Sequence, residues 1–197
     1  PTTSPTTNLS EATSFVIWLG SVNTNSVGSI YIQTSTTADT QDVKTSAFNI
    51  MANNGSAKLQ RLPVTVRVRG GMIDTVEPSV KGIIRNAKLY ANGVLIAAEN
   101  ISDSCSGNQK TCTVVFGKLT KLQYQLPADQ SIELSVRVDI HDKENTQSPA
   151  SDFDSDDLMR ILVTSKNINN ALVENTNGDD VSYQSDEPMI GFIQTLK

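Results

Sequence analysis

Histidine and tryptophan each occur once and cysteine twice in 197 residues, and aromatic residues make up 5% of the chain. Each scarcity closes off a class of chemistry. A lone histidine, His141, cannot build a histidine-rich zinc site. It would have to serve any Ser-His-Asp arrangement alone, with Asp139 or Asp142 as orienter. No G-x-S-x-G supplies a nucleophile elbow. His141 leads into the acidic stretch "HDKEN", so it reads as an exposed turn histidine. Sparse aromatics offer no stacking platform for a sugar. Paired carboxylates for glycoside hydrolysis remain conceivable, but no pair stands out. No apolar run approaches the roughly 20 residues of a membrane helix. The 16 Lys and Arg are outnumbered by 21 Asp and Glu, for a net charge of −5. That balance argues against nucleic acid, whose phosphates call for clustered cations. The expectation is a protein that is not an enzyme, binds no nucleic acid and has no membrane span in this chain.

What is present is neutral polar surface and strand periodicity. Only 19% of residues are charged and 38% are hydrophobic, leaving much of the surface to Ser, Thr, Asn and Gln. Exported β-rich proteins often have such a surface. The length suits one all-β domain or two small ones. Residues 1–12 are rich in Pro, Thr and Ser and too poor in apolar side chains to order themselves. They read as a flexible arm or linker, and "PTTSPTTN" as a processed or trimmed terminus. Residues 13–197 are expected to form a single domain.

Two runs show the clearest alternation. "LPVTVRVRG" sets Leu62, Val64, Val66 and Val68 on one face and Thr65, Arg67 and Arg69 on the other. "IELSVRVDIH" turns Ile132, Leu134, Val136, Val138 and Ile140 inward, with Glu133, Ser135, Arg137 and Asp139 outward. Asn92-Gly93 between two apolar runs is a strong hairpin signal, and Asn54-Gly55 is a second. No segment carries a capped helical stripe. Turn spacing predicts a sandwich of about nine to eleven strands. "SFVIWLG" is apolar on both faces, with Phe15, Ile17 and Leu19 on one and Val16 and Trp18 on the other. It is either the first strand of its own sandwich or, following a flexible arm, a strand (residues 13–20) donated to a neighbour's sheet.

"SAFNIMANNGSAKLQRLPVTVRV", "IRNAKLYANGVLIA" and "VVFGKLTKLQYQLPADQSIELSVRVDI" together resemble a pattern in bacterial cell-surface proteins with immunoglobulin-like modules. The resemblance spans roughly residues 46–140. It implies an immunoglobulin-like (Greek-key) β-sandwich serving in a surface layer, stalk or fibre. The expected function is a structural subunit of an extracellular assembly, joined to copies of itself or to other surface proteins. The alternative is an adhesive or ligand-binding module of a larger exported protein.

Two further features bear on compartment and metal. Cys105 and Cys112 bracket a Gly107-Asn108 loop, as a disulfide across a hairpin end would in an oxidising compartment. A metal pair, lacking CxxC spacing and further ligands, and two free thiols are the other readings. The stretch "SDFDSDD" has four aspartates in six positions. Asp152, Asp154 and Asp156 keep the D-x-D-x-D rhythm of a calcium loop. The EF-hand match then fails, with Asp157 in place of glycine and Val163 in place of the final glutamate. Sandwich domains also bind calcium between inter-strand loops. Asp142 and Glu144 flank the same connection, so Asp142, Glu144, Asp152, Asp154 and Asp156 are candidate calcium ligands, with Asp179 and Asp180 as further carboxylates. The opposing reading is a solvated acidic loop. The N-x-S/T sequons at Asn8, Asn54 and Asn100 are about as many as this composition gives by chance.

Overall fold

The structure, a computed structural model, describes residues 12–19, 30–32, 34–72, 78–142, 153, 156–183 and 193–196. Among these lie thirteen strands and three single-turn helices. In chain order they are β1 (Ser14–Leu19), β2 (Ile30–Ile32), β3 (Thr40–Asn53), β4 (Ala57–Arg69), α1 (Val80–Ile83), β5 (Ile84–Ala91), β6 (Val94–Asn100) and α2 (Ile101–Ser104). There follow β7 (Thr111–Phe116), β8 (Tyr124–Leu126), β9 (Ile132–Ile140), β10 (Leu158–Leu162), α3 (Ser165–Asn169), β11 (Leu172–Asn175), β12 (Ser182–Tyr183) and β13 (Ile193–Leu196). The predicted nine to eleven strands fall short because β2, β8 and β12 are two or three residues long. Strands that short show no periodicity.

The strands form two sheets. The six-stranded sheet runs β12-β1-β3-β9-β5-β6. Its pairs are antiparallel except β1 with β12. The seven-stranded sheet runs β11-β4-β10-β13-β2, with β7 and β8 also on β4. Residues 65–67 of β4 pair with β10 and with β7, so those two strands lie on opposite edges of it. β4 is therefore the spine of its sheet, as β9, held between β3 and β5, is of the other.

Alternation dictates the packing. Leu62, Val64, Val66 and Val68 of β4 are at most 3% exposed. Ile132, Leu134, Val136, Val138 and Ile140 of β9 are buried too, and one apolar cluster joins them to Phe15, Ile17, Phe48, Ile50 and Phe116. Each such side chain contributes about 1.5–3 kcal/mol on leaving water. The Asn92-Gly93 turn closes the β5–β6 hairpin with φ of 47° and 79°. Two successive positive values define the turn whose twist matches the strands, and asparagine and glycine tolerate them.

The structure joins Cys105 and Cys112 in a disulfide, with Cα atoms 5.7 Å apart. Its place differs from the expected hairpin end. Cys105 caps α2, which follows β6 of one sheet, and Cys112 lies on β7 of the other. The bond thus clamps a crossing between the sheets. Among the described residues no helix is long and apolar enough to cross a membrane.

Candidate functional site

Two outer faces carry the charge. On the six-stranded sheet, Lys44, Arg137 and Lys88 lie directly opposite one another on β3, β9 and β5. Three aligned cations would repel, and interleaved carboxylates prevent this. Glu133 takes Lys44 at 3.1 Å, Asp139 takes Lys88 at 2.7 Å and Asp42 takes Arg137 at 2.6 Å. Asp42 reaches this position through irregularities in the β3–β9 register and a φ of 60°, a conformation aspartate tolerates. The hydroxyl of Tyr90 donates to Asp42 at 2.6 Å, and the Arg137 guanidinium stacks 4.4 Å from the Tyr90 ring centre.

Asp139 corrects the reading of β9. It points outward in the alternation, yet is only 6% exposed. Lys88, Asn86 and the Asp42 backbone N–H all donate to its carboxylate. Ser135 is likewise outward and buried, flanked in register by Ala47 and Tyr90. Burial pushes the Asp139 carboxyl up, but these hydrogen bonds outweigh it and hold it below its ordinary value. The Tyr90 hydrogen bond, with Arg137, lowers Asp42, while Asp42 raises Tyr90 and Asp139 raises Lys88. Each charge here is answered by another, so the network locks β3, β9 and β5 together.

His141 is half-buried at the end of this network, where the sequence suggested an exposed turn. Its backbone N–H donates to Ile83 and its Nδ1 lies 3.7 Å from Asp39, which Arg85 also holds at 2.7 Å. Burial lowers its pKa against the pull of Asp39, favouring the neutral imidazole. Among the described residues it makes no hydrogen bond to a hydroxyl.

The candidate calcium ligands divide. Glu144, Asp152 and Asp154 lie outside the described residues. Asp142 donates its backbone N–H to Asp39. Asp156 accepts from the Met72 backbone N–H at 2.6 Å, and the fully buried Asp157 accepts from Gly71 at 3.1 Å. Two aspartates of the acidic stretch therefore tie down the Gly70-Gly71 turn. A Cβ on Gly71 would overlap the Asp156 carboxyl group. Among the described residues no three His, Cys, Asp or Glu side chains gather as a metal shell. Asp179 and Asp180 lie on the β11–β12 turn, where Asn175 donates to Asp179.

The strand expected to link copies, Phe15 to Leu19, lies in its own sheet. Phe15 and Ile17 are 2% exposed and Trp18 is 37% exposed. Val16 is half-buried beside Met51, and Leu19 pairs with Phe48 through the backbone.

The outer face of the seven-stranded sheet is different. Arg61, Arg67 and Arg69 project from β4, and Arg160 of β10 is directly opposite Arg67. Among the described residues none of these arginines has a carboxylate partner. Between β4, β7 and α3 runs an open groove of about 340 Å³, lined by Arg61, Thr65, Lys118, Lys166, Asn167 and Asn170 among others. Sequence reasoning missed it. Arg67 and Arg69 were visible as outward residues of one strand, but Arg61 lies before the stretch that was read as strand, and the meeting with Arg160 and Lys166 depends on register.

No family model matches the chain, and no curated protein matches it. Among solved structures, a chain of the CaDoc0917–CaCohA2 complex gives a TM-score of 0.30 at 6% identity, covering 94% of this chain and 100% of its own. AvmM, described as catalysing macrocyclisation in alchivemycin A biosynthesis, gives 0.34 at 10% identity, covering 93% and 87%. At those scores the likeness carries no argument.

Proposed function

We propose that the chain is a non-catalytic structural module of an extracellular assembly, with an immunoglobulin-like sandwich as its body and β1 as the link between copies. The observation that carries this reading is the unequal pairing of β1. It pairs with β3 along all six residues, Ser14 to Leu19, and among the described residues with β12 only at Ser14 and Phe15. The next strand, β2, belongs to the other sheet. Among the described residues β1 is held along its length by β3 alone, and in this reading it exchanges with the β1 of a neighbour, which meets the same β3 in the same register. An exchange that does not close on itself makes a fibre. The disulfide supports an oxidising, extracellular setting.

Removing residues 1–20 tests this. The account expects the shortened chain to lose assembly and to bind a synthetic peptide of residues 12–20, because β3 is left with an open edge and the core lacks Phe15 and Ile17. A shortened chain that still assembles contradicts it.

A further inference from the structure

The edge of a sheet presents unpaired N–H and C=O groups, and proteins blunt it with short strands, bulges and charges. This chain uses such devices at several edges. β2, β8 and β12 are two or three residues long. β6 and β11 carry shifts in their register, and β11 contains Glu174. β7 has none of these features. Its six residues, "TCTVVF", include no charge and no proline, and they pair with β4 from Leu62 to Arg67 without a shift. Among the described residues its main chain is bonded to β4 alone, so its other edge is open.

Charge and shape say what fits that edge. Thr111 and Thr113 are exposed and Val115 is half-buried on the outer face, while Cys112, Val114 and Phe116 belong to the core. Lys110 and Lys118 flank the strand. A second copy's β7 laid antiparallel about a two-fold axis at Val114 would set Lys110 opposite Lys118, and like charges directly opposite repel. An axis at Thr113 avoids this. Thr111 then meets the second copy's Val115, Cys112 meets its Val114, and Thr113 meets its own counterpart. The outer pairs are all β-branched, a favourable combination across strands. Thr113 already lies opposite Thr65 of β4, so the pairing makes one row of threonines across both copies. Arg67, opposite Thr111, stays a strand away from the junction. The same side of the sandwich carries bare apolar surface. β6, the edge of the other sheet, packs against β7, and its Val94 and Leu95 are exposed. Leu119, which follows β7 and shares a cavity with Ile96 and Ala97 of β6, is exposed as well.

We propose that β7 pairs with the β7 of a second copy, antiparallel about a two-fold axis at Thr113, so that two seven-stranded sheets become one. Main-chain hydrogen bonds fix the register, and Val94, Leu95 and Leu119 add apolar contact beside it. A two-fold contact uses the same patch on both copies, so one uncharged and unblunted strand is sufficient. β1 lies in the other sheet and a monomer carries the β7 edge whole, so this pairing is independent of β1 exchange. Fibres linked through β1 would be joined side by side through β7.

Sedimentation of the full chain at about 10–300 µM, the range suited to a contact this small, tests the proposal. Thr113→Asp and Thr113→Lys are the decisive variants, because an exposed side chain on the axis meets its own counterpart. The native chain should pair reversibly. Each variant alone should pair about tenfold more weakly or worse, since like charges then stand face to face. An equimolar mixture of the two should pair again, because aspartate meets lysine. If a Thr113 variant does not fold, the exposed pair Leu95→Ser with Leu119→Ser decides, with the same loss expected. Association that persists unchanged in the folded variants belongs to β1 or another surface and overturns the proposal. A native chain that does not pair, or a mixture that pairs no better than its components, overturns it too.

Discussion

Asp139 shows how a single side chain couples the charged face to acid stability. Asp139 and Asp42 both titrate below the ordinary aspartate value of 3.8 in the folded chain. The unfolded chain therefore takes up protons first as pH falls. The stability these carboxylates contribute is present above 3.8 and is lost as pH drops through their lowered folded values. His141, whose pKa is lowered in the folded chain, should make Tm begin to fall below about pH 6.5, and the two aspartates should steepen the fall below about pH 5. Asp139→Asn should lower Tm at neutral pH by the equivalent of about 1–3 kcal/mol, because it strands Lys88. It should also flatten the acid limb, since one titrating group is gone. Thermal melts across pH for both chains check this, and parallel acid limbs would contradict it. The position of Asp139 on the outward row of β9 was legible in "IELSVRVDI". Its burial was not, because that depends on Lys88 and Asn86 of β5 and on the irregular register that brings Asp42 from β3. The same limit hid the setting of His141, which rests on Asp39 and Ile83 from distant segments.

The inward rows of β9 and of the Leu62–Arg69 part of β4 were legible, as was the Asn92-Gly93 hairpin, because one face of each is apolar and the turn needs positive φ; the start of β4 at Ala57 was not. Short strands that borrow their order from neighbours were not. The two cysteines were legible as a pair, but not as a clamp between sheets, since nothing local tells a hairpin from a crossing. The clamp has a measurable weight. It closes a separation of seven residues, and the chain-entropy relation assigns such a loop roughly 2–3 kcal/mol. Replacing Cys105 and Cys112 together by alanine should lower unfolding stability by about that amount in urea melts, with m little changed. Both sulfurs sit in the core cluster, so the alanine cavity adds to the loss. A double variant as stable as the native chain would show that β6, α2 and β7 hold the crossing unaided.

Taken whole, the molecule has two outer faces of opposite logic. The six-stranded face pairs its charges internally through Asp42, Lys88, Arg137 and Asp139. The seven-stranded face leaves Arg61, Arg67, Arg69 and Arg160 without carboxylates among the described residues. A net charge of −5 conceals this division, because a sum over the chain carries no information about faces. On β1, which among the described residues pairs along its length with β3 alone, Trp18 stays partly exposed.

The central claim is that copies are joined by exchange of β1, and its most direct measurement is a cross-strand bond at a known register. Val16 of β1 lies opposite Met51 of β3, and both are half-buried on the outer face. Directly opposite residues in an antiparallel pair lie about 4.5–5.5 Å apart at Cα, within reach of a disulfide. The native Cys105–Cys112 bond is buried and does not compete. Assemblies of the Val16→Cys, Met51→Cys chain should be oxidised and run on a non-reducing denaturing gel. The account predicts a ladder of covalent multimers that collapses to one band on reduction, with the 16–51 cross-link found between differently labelled chains. Complete cross-linking within single chains, in an assembly that is otherwise native, would contradict it.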